Sequence, residues 1–222
     1  MGDDLLASEN LILTIKILVF LTYSSAVLLD FFSQQKQFQD LFITQKIATA
    51  YVIRNKLALV SRGFAFAIAP ALGYLALNIS YQELFKLFFM CSFFAFIFIF
   101  VSYLIFIRKY KIFKNKSSKR KKVIFAERFM GYIAFGVAIN APFVLNILAA
   151  AYSSMGLWLV QMAPIITALS TAYIVFFYDT RLASLIDSGD FDFQNAIKFL
   201  DERLIGRFIA FLLVGVVYFY IV

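Results

Sequence analysis

Apolar residues fall into six long blocks, at Leu11–Phe32, Leu57–Ile79, Leu84–Ile107, Met130–Ala151, Leu157–Tyr178 and Leu204–Val222. Each is close to the about 20 mostly apolar residues that a membrane-crossing helix needs. The pattern therefore predicts an all-α, polytopic membrane protein of six spans. The polar stretches between them alternate in character. Ser80–Glu83 and Tyr152–Gly156 are short and carry no basic residue, whereas the other three connections are long and basic. The last of these holds Phe193, Ile197, Leu200 and Leu204 at helical spacing, which predicts an amphipathic helix on the membrane surface leading into the sixth span.

Composition agrees with the pattern. The 222 residues are 63% apolar, 19% aromatic and 15% charged, against about 45–50% apolar and about 25% charged in soluble domains. A soluble core would leave many of the 29 Phe in exposed patches. The chain has no His, which removes histidine bases and histidine metal ligands, and its single Cys91 permits no internal disulfide. The acidic Asp3, Asp4 and Glu9 before the first span, with no small-residue cleavage site after it, are unlike a secretory signal peptide. No repeat or linker divides the chain, so residues 1–222 are expected to form one transmembrane domain.

The net charge of +8 is concentrated. Nine of the 21 basic residues lie between Arg108 and Lys122. Lys36, Lys46, Arg54 and Lys56 mark the first connection, and Arg181, Lys198 and Arg203 the fifth. Because basic loops resist translocation, the odd-numbered loops are expected to be cytoplasmic and both termini outside. The Arg108–Lys122 segment suits anionic lipid headgroups, at about 1 kcal/mol per basic residue; the plainer alternative is a topology anchor. Nucleic acid is not expected as a partner.

Polar groups inside the spans are costly and so become candidate sites, a charge at the centre costing about 2.5–3.5 kcal/mol on insertion scales. Lys16, Tyr23 and Asp30 recur every seven residues on one stripe of the first span, with Ser24 beside it. The stripe is expected to face the protein interior, although Lys16 and Asp30 could each snorkel to an interface. In the second span Arg62 precedes small residues in two registers, Gly63, Ala67, Ala71 and Ala65, Ala69, Gly73, which predicts a central helix packed on two sides. An Arg there can clasp a phosphate at two points or pair with an acid such as Asp179. Asn140, Pro142 and Asn146 interrupt the fourth span, and Gln161 and Pro164 the fifth. The third span carries nine Phe from Phe85 to Phe106 and is expected to face lipid.

The last connection gathers Asp179, Asp187, Asp190 and Asp192, then Arg203 and Arg207. The spacing is not that of a calcium loop; Asp190 or Asp192 is expected to cap the following helix. Asp179 is expected to lock against Arg203 or Arg207. No nucleophile elbow, phosphate-cradling loop or zinc-protease helix is present, so no enzyme, no cofactor and no metal are expected.

Ser61-Arg62 with Ala69-Pro70 and Gly73 resembles the second-helix signature of the Amj-type alternate lipid II flippases. Phe177 to Leu182, Asp187, Gly189 and Arg203-Leu204-Ile205-Gly206 are similar to that family's C-terminal segment, and Tyr23-Ser24 to its first span. The likeness covers the first two spans and the residues after about Ala126. It implies a flippase of the bacterial cytoplasmic (inner) membrane that carries a polyprenyl-pyrophosphate-linked peptidoglycan precursor, lipid II, to the outer leaflet for cell-wall synthesis. Candidate substrate-binding residues are then Arg62, Lys16, Tyr23, Ser24, Asp179, Asp187, Arg203 and Arg207. Six helices make a thin wall around so large a headgroup, so a homodimer is expected. A carrier for ions or small solutes and a non-transporting membrane scaffold remain the alternatives.

Overall fold

A computed structural model describes residues 2–43, 47–110 and 125–221. Every element among the described residues is helical. α1 (Gly2–Ile43), α2 (Ile47–Asn78), α3 (Tyr81–Tyr110) and α4 (Phe125–Ala151) are followed by a 3₁₀ turn, Ser153–Met155, and α5 (Gly156–Tyr173). A π-helical segment, Ile174–Asp179, joins α5 to α6 (Thr180–Asp187), and α7 (Phe193–Ile221) completes the bundle.

Among the described residues, four helical segments are long and apolar enough to cross a membrane: Glu9–Ile43, Ile47–Asn78, Tyr81–Tyr110 and Ser153–Asp187. A fifth exists if the two halves of α4, Phe129–Val137 and Asn140–Ala151, count as one span bent by 60°. The expected sixth, Leu204–Val222, belongs to α7, several of whose residues lie outside those described in full. The bend in α4 falls between Val137 and Asn140, one turn before Pro142. Pro142 has no N–H to bond the carbonyl four residues back, which loosens the ladder there.

The helices outrun the apolar blocks. At about 1.5 Å per residue the 42-residue α1 is about 63 Å long, twice the about 30 Å hydrocarbon core of a bilayer. Lys36, Arg54 and Lys56, expected in a loop, are therefore on α1 and α2, and Lys46 lies outside the described residues. The extension stays helical because its polar residues are buried against partners. Gln34 donates from Nε2 to Gln37 Oε1 (2.9 Å), and Ser102 Oγ donates to Gln35 Oε1 (2.6 Å).

Two further expectations change. The small-residue faces of α2 do not pack on two sides: Ala67 and Ala69 are exposed, and a Cβ at Gly63 or Gly73 would meet nothing within 4 Å. The close helix contact lies between α4 and α7 instead. A Cβ at Gly136 would come within 2.5 Å of the Gly206 carbonyl oxygen, and one at Gly206 within 2.5 Å of the Tyr132 carbonyl oxygen. Only glycine lets these backbones approach so closely. The start of α7 is not a surface helix either. Phe193 and Leu200 are buried, with Phe193 against Phe42 and Phe106. Its apolar face is covered by α1 and α3.

α3 is two-sided. Phe93, Phe94, Phe98 and Phe100 are exposed, while Phe88, Cys91, Ser92, Ala95 and Ile99 are buried, so only one face is available to lipid. Between α6 and α7 the chain reverses at Gly189, whose φ of 71° is the left-handed conformation that glycine tolerates best. Gly189 N–H bonds Ile186 O and Asp190 N–H bonds Leu185 O (both 3.1 Å), the paired bonds of a Schellman stop. Asp192 then caps α7, accepting from the Asn195 N–H at 2.7 Å.

Candidate functional site

Asp30 lies at the end of the apolar run of α1, and its carboxylate is shared by two guanidiniums of α7. Arg203 Nη1 is 2.9 Å from Oδ1 and Arg207 Nη2 is 3.0 Å from Oδ2. Both arginines are buried, at 2% and 8% exposure. Their spacing of four residues puts them one above the other on α7, facing α1. Arg203 is held further by the Asp30 carbonyl oxygen (3.1 Å), Gln34 Oε1 (3.0 Å) and the rings of Phe135 and Tyr178, 4.4 and 5.4 Å from its guanidinium. Planar stacking plus several donors is a role that Arg fills and Lys cannot. Two cations on one carboxylate leave the triad with one positive charge.

Two other ion pairs flank the triad. Arg54 Nη2 meets Asp179 Oδ1 at 2.6 Å, tying α2 to the end of the π-helical segment. Arg181 Nη2 meets Glu202 Oε2 at 2.6 Å, tying α6 to α7, and its guanidinium stacks 4.6 Å from the Phe199 ring. The expected lock of Asp179 on Arg203 or Arg207 is thus replaced: Asp179 takes Arg54, and the two α7 arginines take Asp30. The partner was hidden because Arg54 and Asp179 are 125 residues apart.

Tyr23 lies seven residues from Asp30 along α1, about 10 Å deeper into the apolar segment. Its hydroxyl donates to Asn140 Oδ1 (2.5 Å), at the bend of α4, and contacts Ser92 Oγ of α3 (3.1 Å). Asn140 Nδ2 in turn donates to the Gly136 carbonyl oxygen (2.8 Å). Beside this junction is a cavity of about 170 Å³ lined by Tyr23, Ser92, Asn140 and Arg207 among the aromatic walls of Phe96 and Phe211. Arg207 Nη1 is buried with no hydrogen-bond partner.

The stripe of α1 therefore faces inward, as its seven-residue spacing predicts. Its outermost member, Lys16, pairs with Glu83 at 2.6 Å near the opposite end of the bundle from Asp179. Of the other candidate residues, Ser24 is half-buried with its hydroxyl unpartnered. Arg62 and Asp187 are exposed, lie apart from the triad, and have no hydrogen-bond or ion-pair partner among the described residues. The Arg108–Lys122 segment enters the described residues only through Arg108, Lys109 and Tyr110 at the end of α3. Sequence reasoning passed over Arg54, Tyr178, Arg181 and Glu202. Their signal was available only as charges and a hydroxyl close to span ends. Among the described residues no three His, Cys, Asp or Glu side chains gather around a common point. No protein-family model, curated protein or solved structure matches the chain.

Proposed function

We propose that the chain is a flippase that moves an anionic, polyprenyl-pyrophosphate-linked peptidoglycan precursor, lipid II, from the inner to the outer leaflet. The observation that carries this function is the Arg203–Asp30–Arg207 triad, a buried positive charge at the margin of an apolar bundle. Keeping such a charge out of water is costly unless an anion completes it. The polar groups above it, Tyr23, Asn140 and Ser92, supply hydrogen bonds along the same face of α1. Under this proposal the ends carrying Arg54 and Arg181 face the cytoplasm, in keeping with the basic residues there. Arg62 would meet the headgroup at that surface, and two copies would enclose it between them.

The small size of the cavity, about 170 Å³, favours a second function, a carrier for a small anionic solute. Cells depleted of their own lipid II flippase separate the two. Expression of this chain should restore growth and outer-leaflet lipid II, with Arg203→Gln and Arg62→Ala restoring less at equal abundance. A well-expressed wild type that restores neither overturns the flippase assignment. Protection of the purified chain by a soluble anion, in a background without rescue, would establish the carrier.

A further inference from the structure

We infer that Tyr178 is a lid over Arg203, carried on the π-helical segment as its hinge and latched by the Arg54–Asp179 ion pair. The inference deepens the flippase proposal by giving an anion a way to a triad that is sealed in this structure, and it rests on that proposal for the anion alone.

Three observations meet at this residue. The first is the cover. The rings of Phe135 and Tyr178 lie over the Arg203 guanidinium, and Arg203 Nε donates to the Tyr178 hydroxyl at 3.5 Å. Phe135 sits in the close contact of α4 and α7 and cannot move without parting them; Tyr178 is not so held. The second is the backbone beneath it. Ile174–Asp179 is π-helical although it contains no Pro or Gly, and the nearest proline before it is Pro164. Bonding from i to i+5 takes in one residue more than an α turn, and such segments are rare and concentrate at functional sites. When the extra residue passes beyond Tyr178, Tyr178 turns by about 100°, the angle of one helical residue, and takes the direction that Asp179 has now. Its ring then leaves Arg203, and Asp179 leaves Arg54. The 2.6 Å Arg54–Asp179 pair therefore holds the covering register, with help from the Tyr178 hydroxyl, which donates to the Phe199 carbonyl oxygen at 3.0 Å. On the outer side the turn disrupts no core, because Phe176 and Phe177 are 70% and 64% exposed. The third is space. A cavity of about 290 Å³ is lined by Tyr178, Arg181 and Glu202, with the exposed Thr180 and Ser184 at its mouth. Tyr178 is thus the wall between this cavity and Arg203, and its withdrawal joins them. It also frees Arg203 Nε, the one guanidinium nitrogen not held by Asp30 or Gln34. A charged donor is what an incoming phosphate oxygen accepts from best.

The hinge is tested without substrate, on the purified full chain in lipid nanodiscs, by double electron–electron resonance. Spin labels at Ser184→Cys on α6 and Ile105→Cys on α3, both exposed positions, report the turning of α6 in a Cys91→Ala background. A turn of about 100° moves an exposed position on a helix about 10–12 Å across by about 8–9 Å. Asp179→Asn removes the latch and should add a population displaced by about that distance. Deletion of Phe176 takes the extra residue out ahead of Tyr178, so Tyr178, Asp179 and Arg181 keep their present directions on a continuous α-helix. The deletion should leave the wild-type distance unchanged, and in combination with Asp179→Asn it should abolish the displaced population. An ion pair with a merely structural role would loosen α6 whether or not Phe176 is present. No displaced population in Asp179→Asn, or one that survives the deletion, overturns the lid. The lid and the flippase proposal fail separately. A displaced population that the deletion abolishes, without rescue of depleted cells by the wild type, removes only the flippase; rescue without it removes only the lid.

Discussion

The same substitution, Gly→Ala, is expected to have opposite signs at two places in this bundle. At Gly206 the new Cβ would lie 2.5 Å from the Tyr132 carbonyl oxygen, 3.2 Å from that carbonyl carbon and 3.1 Å from Phe135 Cβ. The nearest atoms belong to the backbone of α4, so no side chain can rotate out of the way. Ordinary contact starts near 3.4 Å, so α4 and α7 would have to separate by about 0.9 Å, the difference between the two distances. Such overpacking costs about 1–3 kcal/mol. Gly136→Ala meets the Gly206 carbonyl oxygen at the same 2.5 Å and should cost as much. Gly63→Ala and Gly73→Ala meet nothing within 4 Å. They replace a poor helix former by the best one and should be neutral or stabilising by up to about 1 kcal/mol. Thermal or SDS-driven unfolding of the four purified variants in one detergent measures the series. Gly136→Ala and Gly206→Ala as stable as wild type, or Gly63→Ala the most damaging, would refute the assignment of the close helix contact to α4 and α7.

Three other outcomes follow from the ion pairs and hydrogen bonds. Asp30→Asn leaves two guanidiniums without a counter-charge and should destabilise by about 3 kcal/mol, the low end for a broken buried pair because the Asp30 side chain is 22% exposed. Adding Arg207→Gln to it should recover part of that loss in the same unfolding assay, and strictly additive losses would argue against the shared carboxylate. Tyr23→Phe removes a bond to Asn140 in the apolar segment, and a midpoint shift equivalent to about 0.6–1.5 kcal/mol is expected, with no change in expression. Arg54→Asp and Asp179→Arg should each impair the protein in thermal unfolding, and the double reversal should restore it; pairing Asp179→Arg with Arg203→Asp should restore nothing.

What was legible in the sequence follows from local rules. The apolar blocks, the interruption of the fourth span just before Pro142, the cap at Asp192 and the inward stripe of Lys16, Tyr23 and Asp30 each depend on neighbours within a few helical turns. The misread features share a different origin. The small residues of α2 look like a packing face by spacing alone, yet spacing cannot say whether another helix is there; Gly136 and Gly206, 70 positions apart, carry the contact and have no local signature. Polar runs such as residues 33–40 look like loop, because hydropathy cannot see that Gln34 and Gln35 are buried against Arg203 and Ser102 on other helices.

The sequence by itself determined that the chain is a set of apolar helices, that the fourth is interrupted, where α7 is capped, and which face of α1 carries its polar groups. These depend on hydrogen bonding and side-chain period within one helix. Tertiary structure alone decided which charges meet. Asp30 has its two arginines because α7 packs beside α1, and Asp179 has Arg54 because α2 passes the end of the π-helical segment. An ion pair depends on distance in space, falling off within a few ångströms, and no periodicity along one chain encodes that distance. The unpartnered Nη1 of Arg207 exists only once those pairings have been made.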